Sequence, residues 1–239
     1  MLYENQKYFN KYLVLKHILK NKKPLIFDIG ANVGQSIIGF KKNFPNSVIH
    51  SFEPCEDFYY KILKIKKKYK NIFVNNCAIH DKKDNFFHYD NDFIGSNSSF
   101  FGINLLSKDY ISMKKNSVKK QVADSTNVET NVKIISLDSY IKKNKINYID
   151  ILKIDVEAGS MNVLNTINKT FLKNIGVIVL EFHFWDFYVK KNNFYDFENF
   201  LRINKNNFSH TIYDISAISK NPKNHRTDYI EAIYLNKNY

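Results

Sequence analysis

Apolar positions fall into two patterns that alternate along the chain. Short β-rich runs lie at Leu25–Ile29, Val48–Phe52, Ile72–Ile79, Ile149–Ile154 and Val177–Phe182. Between them, longer segments carry apolar residues at helical spacing: residues 35–43, 55–68, 137–143, 160–172 and 194–203. This alternation predicts an α/β fold, a mostly parallel sheet with helices on both faces. An N-terminal helix is expected within residues 1–23, where Tyr8, Phe9, Tyr12, Leu13, Leu15 and Leu19 share the period and Lys22–Pro24 ends it. A hairpin-like pair is expected at residues 84–89, a return to the sheet edge at 132–135, and an antiparallel edge from residues 211–215 and 229–235. Residues 90–130 are rich in Ser, Asn and Lys with little periodicity, and read as an insertion or lid.

Composition narrows this. The chain has 239 residues, 44% hydrophobic and 15% aromatic, which suits a single α/β domain over residues 1–239. No run approaches the ~18 apolar residues of a membrane helix. The N-terminus lacks a continuous apolar block and a small-residue cleavage site, so a cytoplasmic protein with no membrane span is expected. Cys55 and Cys77 then read as free thiols. The net charge of +13 invites a nucleic-acid partner, but of 36 basic residues only Arg202 and Arg226 are arginine. Arginine forks onto guanine and phosphate, so this Lys- and Asn-heavy surface reads as compositional bias, and no specific nucleic-acid partner is expected.

The candidate chemistry starts at Asp28-Ile29-Gly30-Ala31-Asn32-Val33-Gly34, which leads from a strand into a helix. Glycines let such a turn bend sharply and approach a ligand, and the helix N-terminus beyond offers unpaired N–H groups. The spacing is G-x-x-x-G, not the dinucleotide G-x-G-x-x-G, and this disfavours an NAD enzyme. Asp28 could accept the ammonium group of an amino-acid ligand. Glu53, at the tip of the second strand, is placed to hold a ribose diol. Together they point to S-adenosylmethionine. A solvated strand-end acid is the plainer reading of Glu53.

Six blocks in order, IFDIGANVGQS, HSFEP, NNCAIHD, ISLDSYI, IDILKIDVE and VIVLEFH, resemble the FkbM family of S-adenosylmethionine-dependent methyltransferases. The resemblance runs from Leu25 to His183. It implies a class I methyltransferase (Rossmann-like) fold: a seven-stranded sheet with an antiparallel last strand and the cofactor across the C-terminal ends of the first strands. It further implies that Asp28, Gly30, Asn32 and Gly34 hold the methionine end, Glu53 the ribose and Ala78 the adenine edge. Family members read K-x-D-x-E-G-x-E after strand four. Here Lys153-Ile154-Asp155-Val156-Glu157 is followed by Ala158-Gly159-Ser160, so the glycine is displaced and the second glutamate is replaced.

Methyl transfer to a hydroxyl needs positioning and a proton acceptor. Candidates are Asp155 and Glu157 at the end of strand four, and His183, which shares a face with Glu181 at the end of strand five. Each has a plainer use: Asp155 as a cofactor ligand, Glu157 as a helix cap, His183 as a hydrogen-bonded histidine among aromatics. No metal site is expected, although Asp155 and Glu181 could hold a divalent ion. His80, His210, Tyr213 and His225 are lesser candidates near the adenine or the acceptor. The resemblance implies a small, sugar-like acceptor, a sugar or nucleotide sugar methylated on oxygen in surface-polysaccharide or natural-product pathways. An amine or phosphorylated acceptor is the alternative, and the oligomeric state is open between monomer and homodimer.

Overall fold

In the computed structural model, which describes residues 10–81, 86–88, 99–116, 128–190, 192–202, 210–220 and 225–239, the apolar runs join one main sheet. The strands are β1 (Leu25–Ile29), β2 (Val48–Phe52), β3 (Ile72–Asn75), β4 (Ala78–Ile79), β5 (Phe86–His88), β6 (Val128–Thr130), β7 (Ile134–Ile135), β8 (Ile149–Ile154), β9 (Ile175–His183), β10 (His210–Lys220) and β11 (Thr227–Asn236). The helices are α1 (Lys11–Ile18), α2 (Gln35–Asn43), α3 (Glu56–Lys66), α4 (Lys108–Asn116), α5 (Leu137–Lys143), α6 (Ser160–Asn165) and α7 (Phe194–Arg202). Seven strands follow the order β10-β11-β9-β8-β1-β2-β3. β1, β2, β3, β8 and β9 pair in parallel, and β11 runs antiparallel between β9 and β10. The chain therefore steps outward from β1 in one direction and later from β8 in the other. That reversal opens a crevice beyond the carboxyl ends of β1 and β8.

Strand alternation sorts the core into two layers. On β9, Ile178, Leu180 and Phe182 join the cluster containing Leu137 and Ile141 of α5, Val163 and Leu164 of α6, and Phe197 and Leu201 of α7. Val177 and Val179 face the opposite cluster, with Leu15 and Ile18 of α1, Ile37 and Phe40 of α2, and Ile62 of α3. Each fully buried Ile, Leu or Phe contributes about 1.5–3 kcal/mol. By the same parity Asp28, Lys153, Asp155, Glu181 and His183 fall on the α1–α2 face, toward the carboxyl ends of β1, β8 and β9. In register, Asp28 stands beside Lys153, and Glu181 beside Glu231.

The β1–α2 turn is held by backbone contacts. Gly30 N–H and Ala31 N–H donate to Phe52 O, and Asp155 N–H donates to Ile29 O. Gly30 has φ +78°, and a Cβ built on it would lie 1.9 Å from the carbonyl oxygen of Asp155. Only glycine lets these two backbones pass so closely.

Several elements depart from the sequence expectation. The helix expected within 1–23 begins at Lys11 among the described residues, capped by Asn10 Oδ1 accepting from Tyr12 N–H, and ends at Ile18. The strand expected over 72–79 is two strands. Asn75 donates to Ser51 O and Asn76 to Glu53 O and Pro54 O, so these side chains bind the tip of β2 while β4 turns away to pair with β7. The 132–135 segment thus adds to a separate parallel pair and not to the main sheet. Thr166 stops α6 early, its Oγ1 donating to Val163 O and accepting from Leu137 N–H. β5 pairs antiparallel with β6 across the 90–130 excursion and not within a local hairpin; residues 84, 85 and 89 lie outside the described residues. Within that excursion α4 forms with Ser107 Oγ accepting from Tyr110 N–H, a polar helix without the apolar stripe that reveals others.

Gly30→Ala should destabilise the fold by at least about 2 kcal/mol, combining positive-φ strain with the backbone clash. Gly159→Ala meets nothing closer than 3.6 Å, and should change stability by less than about 0.5 kcal/mol. Urea denaturation of the two variants measures the contrast.

Candidate functional site

The crevice holds a cavity of ≈ 390 Å³, within the ~300–1,000 Å³ of ordinary ligand sites. Its walls come from the β1–α2 turn (Gly30, Asn32), the tip of β2 (Glu53), the β3–β4 corner (Cys77, Ala78, His80), the end of β8 (Asp155, Glu157) and α1 (Lys11, Tyr12). Glu181 of β9 and the Ser99–Phe100 pair complete it.

Glu53 is buried, its Oε2 accepting from Asn32 N–H at 2.7 Å and its Oε1 from Cys55 N–H at 2.9 Å. Asn32 adopts a left-handed φ of +49°, which aims its N–H at Glu53. Burial pushes the Glu53 carboxyl up to about 7, against the pull of these two N–H groups. A carboxylate has about four acceptor positions, so each oxygen keeps capacity for a ligand hydroxyl. Opposite, Phe100 stacks on His80 with ring centroids 4.1 Å apart, closing the side nearest Ala78.

The far wall is a charged crest built on Lys153. Its ammonium, 4% exposed, lies 3.1 Å from both Asp28 Oδ1 and Asp155 Oδ2. Burial alone would favour neutral lysine, but Asp155 and Asp28 outweigh it and hold the group above its ordinary value. Ser36 Oγ donates to the other Asp28 oxygen at 2.5 Å. Burial also opposes the charge on Asp155, yet Lys153 and a hydrogen bond from Glu181 hold it down to about 2. That side chain is 36% exposed, opening into the cavity. Its neighbours go the other way. Burial, then the Asp155 charge, pushes Glu157 up to about 8, and burial with Asp155 and Glu157 raises Glu181 well above its ordinary value. The crest therefore keeps one carboxylate firmly ionised at the cavity while raising the carboxyls of its two neighbours.

Glu157 sits in a left-handed conformation, φ +58°, uncommon for a non-glycine residue. Tyr188 OH donates to its Oε2 at 2.8 Å, and His183 Nε2 lies 3.3 Å from the same oxygen. His183 is 4% exposed, with Trp185 Nε1–H donating to its Nδ1 at 2.9 Å.

The expected site residues thus divide. Gly30, Asn32, Glu53, Ala78, Asp155 and Glu157 line the cavity together. Asp28 and Gly34 stand behind it: Asp28 is fully buried against Lys153 and Ser36, and Gly34, at φ +86°, is the N-cap of α2. His183 stands behind Glu157 rather than on the wall. His210, buried against Ile175 O at the start of β9, lies at the opposite end of the sheet. Phe100, which the sequence sets in a lid beside Ser99, does line the cavity, whereas sequence reasoning left out Lys153, Tyr188 and Lys11. Lys153 carried a signal, a charge set between Leu152 and Ile154 in a mostly apolar strand that must find partners if buried. Lys11 lies on α1, whose apolar period says nothing of which polar residue reaches the site, and Tyr188 comes from a segment after β9 with no apolar period.

A family model, the methyltransferase FkbM domain, matches residues 28–209, well over half of the chain. The chain belongs to the FkbM methyltransferase family. Its fold is the Rossmann-like one of class I methyltransferases, with the antiparallel β11 inserted between β9 and β10. Among solved structures it is similar to methyltransferase FkbM from Methylobacillus flagellatus KT, at 12% identity and TM-score 0.51 over 95% of this chain and 50% of that one. The chain therefore spans half the length of that FkbM structure. Precorrin-6y C5,15-methyltransferase from Geobacter metallireducens GS-15 aligns at 12% identity, 94% and 86% coverage and TM-score 0.46. M. capricolum TrmK, solved with S-adenosyl-homocysteine, aligns at 14% identity, 95% and 68% coverage and TM-score 0.45. No curated protein matches the chain. Among the described residues no helix is long and apolar enough to cross a membrane.

Lys153→Met would leave Asp28 and Asp155 without their buried counter-charge, and should cost roughly 3–5 kcal/mol in chemical denaturation. Glu157 tests the crest through pH. Its carboxyl rises from 4.5 to about 8 on folding, so the folded chain holds the extra proton between those values. The associated stability is complete below that window and lost as pH climbs through it. Glu157→Gln, which cannot ionise, should flatten this part of the stability–pH curve.

Proposed function

We propose that this FkbM-family chain is an S-adenosylmethionine-dependent methyltransferase acting on a hydroxyl of a small, sugar-like acceptor. The observation that carries the reading is the crevice itself. A buried carboxylate at the tip of β2 and an ionised carboxylate at the end of β8 face one cavity across a glycine turn. The donor set suits the cofactor. Glu53 would take the ribose hydroxyls, Gly30 and Asn32 would border the methionine end, and Ala78 the adenine. The anionic crest favours a cationic sulfonium, and Asp28 acts on it from behind by fixing Lys153. When bound, the cofactor supplies an electrophilic methyl group.

The acceptor class rests on the crest. A hydroxyl must lose its proton, and a carboxyl titrating near 8 is matched to that task. Asp155, held near the bottom of the carboxylate range by Lys153, is a poor proton acceptor and serves better to steady positive charge. A phosphorylated or nucleic-acid acceptor fits less well. Among the described lining residues the cations are Lys11 and Lys153, paired with Glu231 and with Asp28 and Asp155. In this reading the protein works in the cytoplasm, where Cys55 and Cys77 stay reduced thiols.

Calorimetric titration with S-adenosylhomocysteine should show saturable binding that Glu53→Ala weakens at least tenfold. Sugars and nucleotide sugars, offered with S-adenosylmethionine, should release S-adenosylhomocysteine, whereas amines and RNA should not. A folded protein that fails to bind S-adenosylhomocysteine at millimolar concentration would overturn the methyltransferase reading. Turnover confined to amines would overturn the acceptor class.

A further inference from the structure

His183 is the residue type most often used as a general base, and it stands at the end of β9 beside the crest. Its surroundings give it a different task. The Trp185 indole N–H can only donate, and it donates to His183 Nδ1 at 2.9 Å with the two rings 13° from parallel. Nδ1 must then present its lone pair to the indole, so the proton of the neutral ring sits on Nε2. Nε2 lies within ion-pair distance of two carboxyl oxygens, Glu157 Oε2 at 3.3 Å and Glu181 Oε1 at 3.8 Å, without a hydrogen bond to either. A ring so arranged has no lone pair left for a substrate proton. A second proton on Nδ1 would set two N–H groups against each other.

We infer that Trp185 fixes His183 as the Nε2–H tautomer, making it a positioning residue that holds Glu157, and that Glu157 is the group accepting the substrate proton. The inference rests on the methyltransferase reading. Glu157 lines the cavity, whereas His183 and Trp185 do not. Its Oε2 takes Tyr188 OH at 2.8 Å and faces His183, which leaves Oε1 for exchange with the substrate. Its φ of +58° shows a backbone held off its ordinary conformation at this one carboxylate. In the transfer the acceptor oxygen forms its bond to the methyl carbon as the carbon–sulfur bond breaks. The sulfur keeps that electron pair, and the hydroxyl proton passes to Glu157. The groups facing this pair are Lys153 and Asp155 at the end of β8, Glu181 on β9, Tyr188, and Tyr229 of β11, whose ring centroid is 6.0 Å from that of His183.

Nitrogen-15 NMR of histidine-labelled protein reads the tautomer without turnover. The His183 ring should be neutral, protonated on Nε2 and bare on Nδ1, between about pH 5 and 8. In Trp185→Phe, which keeps an aromatic ring and removes the donor, Nδ1 should take up a proton inside that range. The imidazolium would then stabilise ionised Glu157, moving the rising limb of the turnover–pH profile toward acid by about one unit or more. Maximal turnover should fall roughly tenfold, with acceptor KM and S-adenosylhomocysteine affinity little changed. A proton on Nδ1 of the wild-type ring, or an imidazolium at neutral pH, would overturn the assignment whatever the variant does. So would a Trp185→Phe protein whose spectrum and pH profile match the wild type. Loss of S-adenosylhomocysteine binding by the wild type would instead strike the methyltransferase reading, leaving the tautomer result to stand by itself.

Discussion

A single ammonium group ties the crest of this protein together. Lys153 enters from near the end of β8, between the apolar Leu152 and Ile154, and meets one carboxylate from β1 and one from the end of its own strand. Taking three charges out of water is costly, and their mutual attraction offsets the cost only if the geometry is close. The close geometry is supplied by the parallel register that sets Asp28 beside Lys153, by the Ser36 hydroxyl on Asp28 and by Glu181 on Asp155. One ion network thus joins β1 and β8 to α2 and β9 at the place where the strand order reverses.

The same network decides how protons are distributed. Ionised Asp155 makes it harder for Glu157 and Glu181 to ionise beside it, so three carboxyls within one wall behave differently. Such separation of neighbouring groups is how one site can carry both a fixed charge and a proton acceptor. The His183–Trp185 pair stands next to both raised carboxyls, nearer to Glu157 than to Glu181.

Much of this was legible before any coordinates. The central strands β1, β2, β8 and β9 read correctly because each is an apolar run bounded by turn residues. The Gly30–Gly34 turn falls between β1 and α2 and Glu53 at the tip of β2, as the sequence places them, because both positions follow from local pattern. Reading failed where long-range contacts overrule local pattern. Asn75 and Asn76 look like a continuing strand until β2 offers them carbonyls, and α4 has no apolar stripe to announce it. His183 was visible as a candidate, but its proton depends on an indole two residues along whose direction no spacing rule specifies. Lys11, at the start of α1, reaches the cavity only because Glu231 on the distant β11 receives it.

The short pairing of β5 with β6 has a bearing on how such a scaffold can diversify. It brings together two points of the chain that are far apart in sequence, near the corner where β4 meets β7. Whatever lies between them departs from and returns to one locus, so residues can be added or removed there without transmitting load to the seven-stranded sheet. Lengthening a closed loop costs only about 0.6 kcal/mol per doubling. Phe100, from this excursion, already touches the ligand cavity. The clasp therefore confines changes of length to a segment that already reaches the cavity wall, apart from the ion network of the crest.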